Sequence, residues 1–293
     1  MPSLDASRSG APALLHVPRT SRSSNRVRTL AAFSASVALL AVVAWLGFQL
    51  QDAACATDFS QKGLVPSLSH LFGTDWMGRD MLVRVAAGLS TSIAVGLLSA
   101  AFSALIALAL SLVATFGGPK ADAAVAWLVD LMMGIPHIVL LILISFALGK
   151  GAVGIIVAVA VTHWPSLTRV LRAEMLQLRR SHFVAAAGKL GASRLQIAAH
   201  HMVPYVLPQL IVGFVLLFPH AILHEAAITF LGFGLPPEQP AIGVVLSESM
   251  SYLSAGMWWL AVFPGLALIA VVMLFDLAGS SLRRLVDPRS SQE

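Results

Sequence analysis

Six apolar runs, each near twenty residues long, divide this chain: roughly Leu30–Leu50, Ile93–Phe116, Ala123–Leu148, Ala152–Leu171, Val206–Leu231 and Met257–Leu277. A bilayer core about 30 Å thick takes about 20 apolar residues per helix. Inside it only helices and closed barrels satisfy their own backbone groups. The runs are continuous rather than alternating, so the predicted fold class is all-α, a polytopic membrane bundle of six transmembrane helices. Composition agrees. Only 11% of the 293 residues are charged, against about 25% in soluble domains, and mean hydropathy is +0.83. A single cysteine, Cys55, excludes an internal disulfide and a Cys-rich metal cage.

The polar stretches give the organisation. Residues 1–28 are Ser- and Arg-rich and predict a disordered cytoplasmic tail. The first run, with Arg26 and Arg28 before it and Ala54-Cys55-Ala56 after it, has the flanks of a cleaved leader. It is longer than a leader's apolar region of about 7–15 residues, and Asp52 stands where a lipoprotein site needs an aliphatic residue. An uncleaved span is expected. Residues 29–88 then hold the first span and an outer loop, 89–281 the core bundle, and 282–293 a second cytoplasmic tail. Pro136, Pro165 and Pro219 should bend their spans. Six crossings put both termini on one side. The three connections on the other side hold only Lys62, Arg79, Arg84 and Lys150 of the chain's 19 Lys and Arg. The positive-inside bias therefore makes the termini and the 164–204 loop cytoplasmic. The net charge of +5 is explained by topology and does not require nucleic acid.

The 174–204 loop has a structure of its own. Glu174 to Leu190 predicts a helix carrying Arg179, Arg180 and Lys189, and Gly191 can supply the left-handed residue that ends it. Ser193 is an N-cap for a second helix through about Met202, which Pro204 should stop. Ala185, Ala186, Ala187 and Gly188 let a partner approach closely. On pattern alone the segment suits either a docking helix or an amphipathic helix on the lipid surface.

Ionisable groups within spans are costly and often functional. Glu225 lies near the outer end of the fifth run. His220 and His224 share a helix face, His137 adjoins Pro136, and His163 ends the fourth run. Imidazoles suit nickel, zinc and copper, so these five residues are candidates for a translocation path that admits metal. Equally, the histidines could hydrogen-bond across helices or relieve carbonyls freed by proline, and no metal ligand set is fixed. Asp75, Arg79 and Asp80, just outside the second run, are candidates for an extracytoplasmic gate built of ion pairs, or for a contact with solute or a binding protein. The phosphate-cradling G-x-x-x-x-G-K-[ST] loop is missing. His224-Glu225 starts like a zinc-protease helix but lacks the second His.

Three stretches resemble a known family. Ala185-Ala186-Ala187, then Gly191, then His201-Met202-Val203-Pro204 is similar to the EAA loop of ATP-binding-cassette importer permeases. Gly73-Thr74-Asp75-Trp76-Met77-Gly78-Arg79-Asp80, with Arg84 and Gly88, resembles the GTDxxGRD stretch of dipeptide, oligopeptide and nickel permeases. Glu225 to Gly234, followed by Pro236-Pro237, looks like their E-A-x-L-S-F-L-G-L-G segment. The match covers about residues 70–290 and the order resembles the second, "C"-type permease. Departures are Ala185 for the family's loop acid, and His201 and Val203 for Ile and Leu. The resemblance implies a type I importer permease fold in a bacterial inner membrane, forming half of a translocation pore. It implies a heterodimer with a second permease, two ATPase subunits, and an extracytoplasmic solute-binding protein. Ala185, Ala186, Ala187, Gly191 and Pro204 would couple to the ATPases. ATP and Mg would be used by those partners, with no cofactor bound by this chain and no enzyme activity of its own. The substrate implied first is peptide, and alternatively nickel or a metal chelate. A stand-alone channel or secondary transporter would leave the loop unexplained.

Overall fold

The computed structural model describes residues 22–286. The expected tails lie outside the described residues up to 21 and from 287. Residues 22–28 and 282–286, also expected in the tails, are helical. In chain order the helices are α1 (Arg22–Gln49), α2 (Gln51–Cys55), α3 (Met81–Phe116), α4 (Pro119–Gly134), α5 (His137–Ala147), α6 (Gly151–Arg179), α7 (His182–Lys189), α8 (Arg194–Ile197), α9 (Val203–Phe230), α10 (Ile242–Leu253) and α11 (Trp259–Val286).

Five helical stretches are long and apolar enough to cross a membrane. The sixth span exists only as α4 and α5 taken together, bent by 95°. The expectation of one kinked third helix is corrected here. Ile135, which precedes Pro136, is pushed into extended geometry (φ −87°, ψ 137°), as the residue before a proline usually is, and the helix stops. Pro165 is tolerated inside α6 by a different arrangement. It cannot donate to the carbonyl of Val161, and the Trp164 indole N–H takes that carbonyl instead at 2.8 Å.

The core helix is α3, which packs against α1, α6, α9 and α10. Its buried positions include Gly88, Ser92, Gly96, Ser99, Ser103, Ala107, Ser111 and Ala114, spaced three or four apart. Such spacing puts them on one face. In lipid the hydrophobic effect does not drive helices together, so small residues that let backbones approach do much of the work. Two of the serines satisfy their hydroxyls within the helix: Ser99 and Ser111 donate to the carbonyls of Val95 and Ala107, each at 2.7 Å. Where α1 crosses α3, Ser90 Oγ donates to the Ala44 carbonyl at 2.8 Å. A Cβ on Gly47 would lie 2.0 Å from the Ala86 carbonyl oxygen.

That approach makes a prediction. Gly47→Val should force α1 off α3 and lower stability by about 1–3 kcal/mol, the usual penalty of overpacking. Thermal unfolding of the detergent-solubilised protein measures this; an unchanged midpoint would show that the two backbones are not in close contact.

Candidate functional site

Three structures lie along the bundle: a charged cluster at the start of α3, a cavity midway, and a helical loop at the end of α3. With about 1.5 Å rise per residue, the 36 residues of α3 separate the two ends by about 54 Å.

The charged cluster grows from a tight turn. Gly73 and Gly78 have φ of +71° and +76°, the left-handed region that glycine enters freely. A Cβ on Gly78 would sit 1.7 Å from the Asp58 carbonyl oxygen. Asp58 itself is exposed, and the Ser60 hydroxyl and amide that donate to its carboxylate hold it below the usual carboxylate range. The turn closes through Asp75 N–H to the Arg79 carbonyl (3.0 Å) and Met81 N–H to the Gly73 carbonyl (3.0 Å). It aims the Asp75 carboxylate inward, where it is 1% exposed. Asp75 Oδ1 accepts from the amides of Met77 and Arg79 at 2.8 and 2.9 Å. Asp75 Oδ2 accepts from Arg79 Nε at 2.6 Å and Arg84 Nη1 at 2.8 Å. Glu248 of α10 completes the cluster, accepting from Arg79 Nη2 at 3.1 Å and Arg84 Nη1 at 2.9 Å. Two cations and two carboxylates balance. Asp80, expected in this group, does something else. It caps α3 through the amides of Leu82 and Val83, and its Oδ2 pairs with His70 Nδ1 at 2.8 Å.

The cavity, about 580 Å3, is lined from α4, α5, α6, α9 and α11, including His137, His163, His220 and His224. The rings of His137, His163 and His224 lie within 4.9 Å of one another, centroid to centroid, in edge-on pairs. His220 lines the cavity without joining the trio; its carbonyl accepts from His224 Nδ1 at 2.7 Å. Glu225, also a candidate for the path, is not on the wall of this cavity. It is 0% exposed and faces the other way, accepting from Thr229 Oγ1 at 3.0 Å. The GFG segment after it is pinned by close approach. A Cβ on Gly234 would meet Thr229 Oγ1 at 2.2 Å, and Lys150 Nζ donates to the Gly232 carbonyl at 2.9 Å.

At the far end, α6 stops at Arg179 and α7 follows. Gly191 has φ +88° with open space around it. Ser193 forms a capping box with Gln196. Both features match the sequence reading. Pro204 does not stop the helix, which is a correction. It sits in the first turn of α9, where a missing N–H is harmless. A π-helical turn at Ala198–Met202 joins α8 to α9, giving one helical stretch Arg194–Phe230. Leu178, Val184, Ile197 and Met202 form a small core beneath, with Ala187 packed against it. Ala185 and Ala186 face outward, beside Leu190 and Leu195, which are 88% and 79% exposed. Arg179 Nη1 donates to the Thr115 carbonyl, and Arg194 Nη1 to that of Phe116 at 3.3 Å. These are terminal carbonyls of α3, where a cation is favoured.

A membrane bundle with a lined cavity and a protruding two-helix loop defines a transport permease. The chain matches the family of binding-protein-dependent transport system inner membrane components over residues 106–292, and it belongs to that family. A Brucella abortus (biovar 1, strain 9-941) protein, provisionally named as a peptide transport system permease, is 36% identical over 81% of this chain and 80% of its own length. The dipeptide transport system permease protein DppC of Bacillus subtilis (strain 168) is 30% identical over 78% of this chain and 72% of its own. In structure the chain is similar to the MetNI methionine ABC transporter in an inward-facing conformation. The TM-score is 0.57 at 22% identity, over 71% of this chain and 98% of that one. The bundle thus has the fold of a type I importer permease.

Sequence reasoning missed two members of the cluster as partners. Arg84 falls four residues after Asp80, one helical turn on, which could have flagged it. Glu248 lies 164 residues from Arg84 and carries no local signal. The cluster makes a prediction. Arg84→Met and Glu248→Gln should each destabilise the protein by about 3–5 kcal/mol, because each leaves buried charge uncompensated. The double variant should cost less than the two singles together. Strictly additive losses in thermal unfolding would mean that the two side chains do not act as a pair.

Proposed function

We propose that this chain forms one half of the pore of an ATP-driven peptide importer. A second permease would complete the pore, two ATPase subunits would dock on the α7–α8 end, and an extracytoplasmic binding protein would deliver solute at the Asp75–Glu248 end. In this arrangement the chain sits in a bacterial inner membrane with both termini and the α7–α8 loop in the cytoplasm. ATP and Mg are used by the ATPase subunits. Peptide as the cargo is supported by the names of its relatives, the dipeptide permease of Bacillus subtilis among them.

The observation that carries the coupling role is the exposed face of α7 and α8. Leu190 and Leu195 stand out from a loop whose inner face is already packed, and exposed apolar side chains grouped in this way mark a contact surface. Ala185 and Ala186 keep that face low enough for a partner helix to approach. The loop is also mechanically connected. Arg179 and Arg194 hold the end of α3, and the π-helical turn carries α8 into α9. A pull on the loop therefore reaches two of the helices that form the bundle, and rigid-body rocking of such helices is how alternating access proceeds.

Gly191 tests the reading. Its φ of +88° strains any branched side chain, although no neighbour lies in the way. Gly191→Val should displace α7 relative to α8 at a conformational penalty of about 1–2 kcal/mol, leaving the membrane bundle folded. In proteoliposomes holding the assembled transporter and its binding protein, labelled-dipeptide uptake should fall at least tenfold while ATP is still hydrolysed. Full uptake by Gly191→Val would remove the coupling role from this loop.

A further inference from the structure

The cavity wall carries a constellation that peptide transport does not require. His137 is the first residue of α5, at the 95° break. His163 lies in α6 and His224 in α9. One ring nitrogen from each lies within 4.8 Å of the other two, and His163 Nε2 is 3.3 Å from His224 Nδ1. Three imidazoles from three separate helical elements converge on one point of a cavity.

The hydrogen bonds around the trio set the rings for a metal. His163 Nδ1 lies 3.0 Å from the Val159 carbonyl oxygen, and His224 Nδ1 lies 2.7 Å from the His220 carbonyl oxygen. A carbonyl only accepts, so each Nδ1 carries the proton and each Nε2 keeps its lone pair. Backbone carbonyls fix metal-binding histidines in other proteins in the same way, by taking the proton of the nitrogen that does not ligate. These are also not the carbonyls that Pro165 and Pro219 free; the one freed by Pro165, on Val161, is taken by Trp164. Relief of proline defects therefore does not account for the two histidines.

We propose that His137, His163 and His224 bind one late first-row divalent metal ion, with zinc, nickel and copper the best matched to neutral imidazole. Zinc bound by imidazole has a metal–nitrogen distance of about 2.0–2.1 Å, which places tetrahedral ligands about 3.3 Å apart. One ring nitrogen of each histidine lies within 4.8 Å of the other two, so ring rotations, with those of the half-buried His137 among them, close the remaining gap to that spacing. Three protein ligands leave at least one coordination position facing the cavity. Among the described residues, Arg283 is the only one with a fixed charge on the cavity lining, and no carboxylate is there. Water or an anion from the cavity therefore completes the coordination shell. The ion would tie α5, α6 and α9 together at the break in the third span.

The test is metal binding, which is independent of cargo. The full-length chain, in its assembled transporter in lipid nanodiscs, is dialysed against zinc(II) or nickel(II) alone and bound metal is counted. One ion per chain is expected, with affinity lowered at least tenfold in His137→Ala, His163→Gln and His224→Ala and unchanged in His220→Ala. Bound metal should also raise the unfolding temperature of the unaltered protein and not that of the triple variant. X-ray absorption on the unaltered protein should show three imidazole nitrogens, and this measurement needs no variant to fold. The proposal is overturned if no stoichiometric ion binds, if the triple variant binds as well as the parent, or if the spectrum shows fewer than three imidazoles.

Discussion

Arg179 and Arg194 donate to the last carbonyls of α3, and the remaining architecture depends on that junction. A helix that ends inside a protein leaves four carbonyls without partners, and near a membrane surface such a defect has to be repaired. Here the repair comes from the loop that also presents Leu190 and Leu195 outward. The structural need of one helix and the exposed surface of another segment are thus met by the same two guanidinium groups. The opposite end of α3 is fixed with equal care, by the Asp80 cap and by Arg84 within its neutral cluster. Between these ends the helix has small residues on its packed face, so it is held by close backbone contact rather than by interlocking large side chains.

Most of the bundle was legible because membrane insertion imposes length and polarity on each span. Five of the six apolar runs, the left-handed residue at Gly191 and the Ser193 cap all depend on nearby residues, and these are found where the sequence placed them. The errors occur where tertiary context decides. A proline can break a helix, be accommodated inside it or open its first turn, and Pro136, Pro165 and Pro204 each do one of these. What separates them is the neighbouring chain: an extended Ile135 in the first case, the Trp164 indole in the second, and a π-helical turn in the third.

The same limit applies to the polar residues within spans. Glu225 and His224 are adjacent, and sequence alone treated them as one set. A helix sends successive residues about 100° apart, so His224 reaches the cavity while Glu225 is enclosed toward α10 and α3. The convergence of His137, His163 and His224 depends on a 95° turn between α4 and α5 that hydropathy does not report. A straight third span would hold His137 elsewhere.

The pairing of Arg84 with Glu248 has a consequence for biosynthesis. The chain emerges from the ribosome with Asp75, Arg79 and Arg84 close together and Glu248 still to come. Until α10 has been made, the turn holds two guanidinium groups against one carboxylate, an excess of one positive charge at the mouth of α3. The cluster becomes neutral only when α10 packs on α3, so nascent chains that end before α10 keep that uncompensated charge and lack a means of closing this end of the bundle. Closure of this end of the bundle is in this way tied to the synthesis of α10.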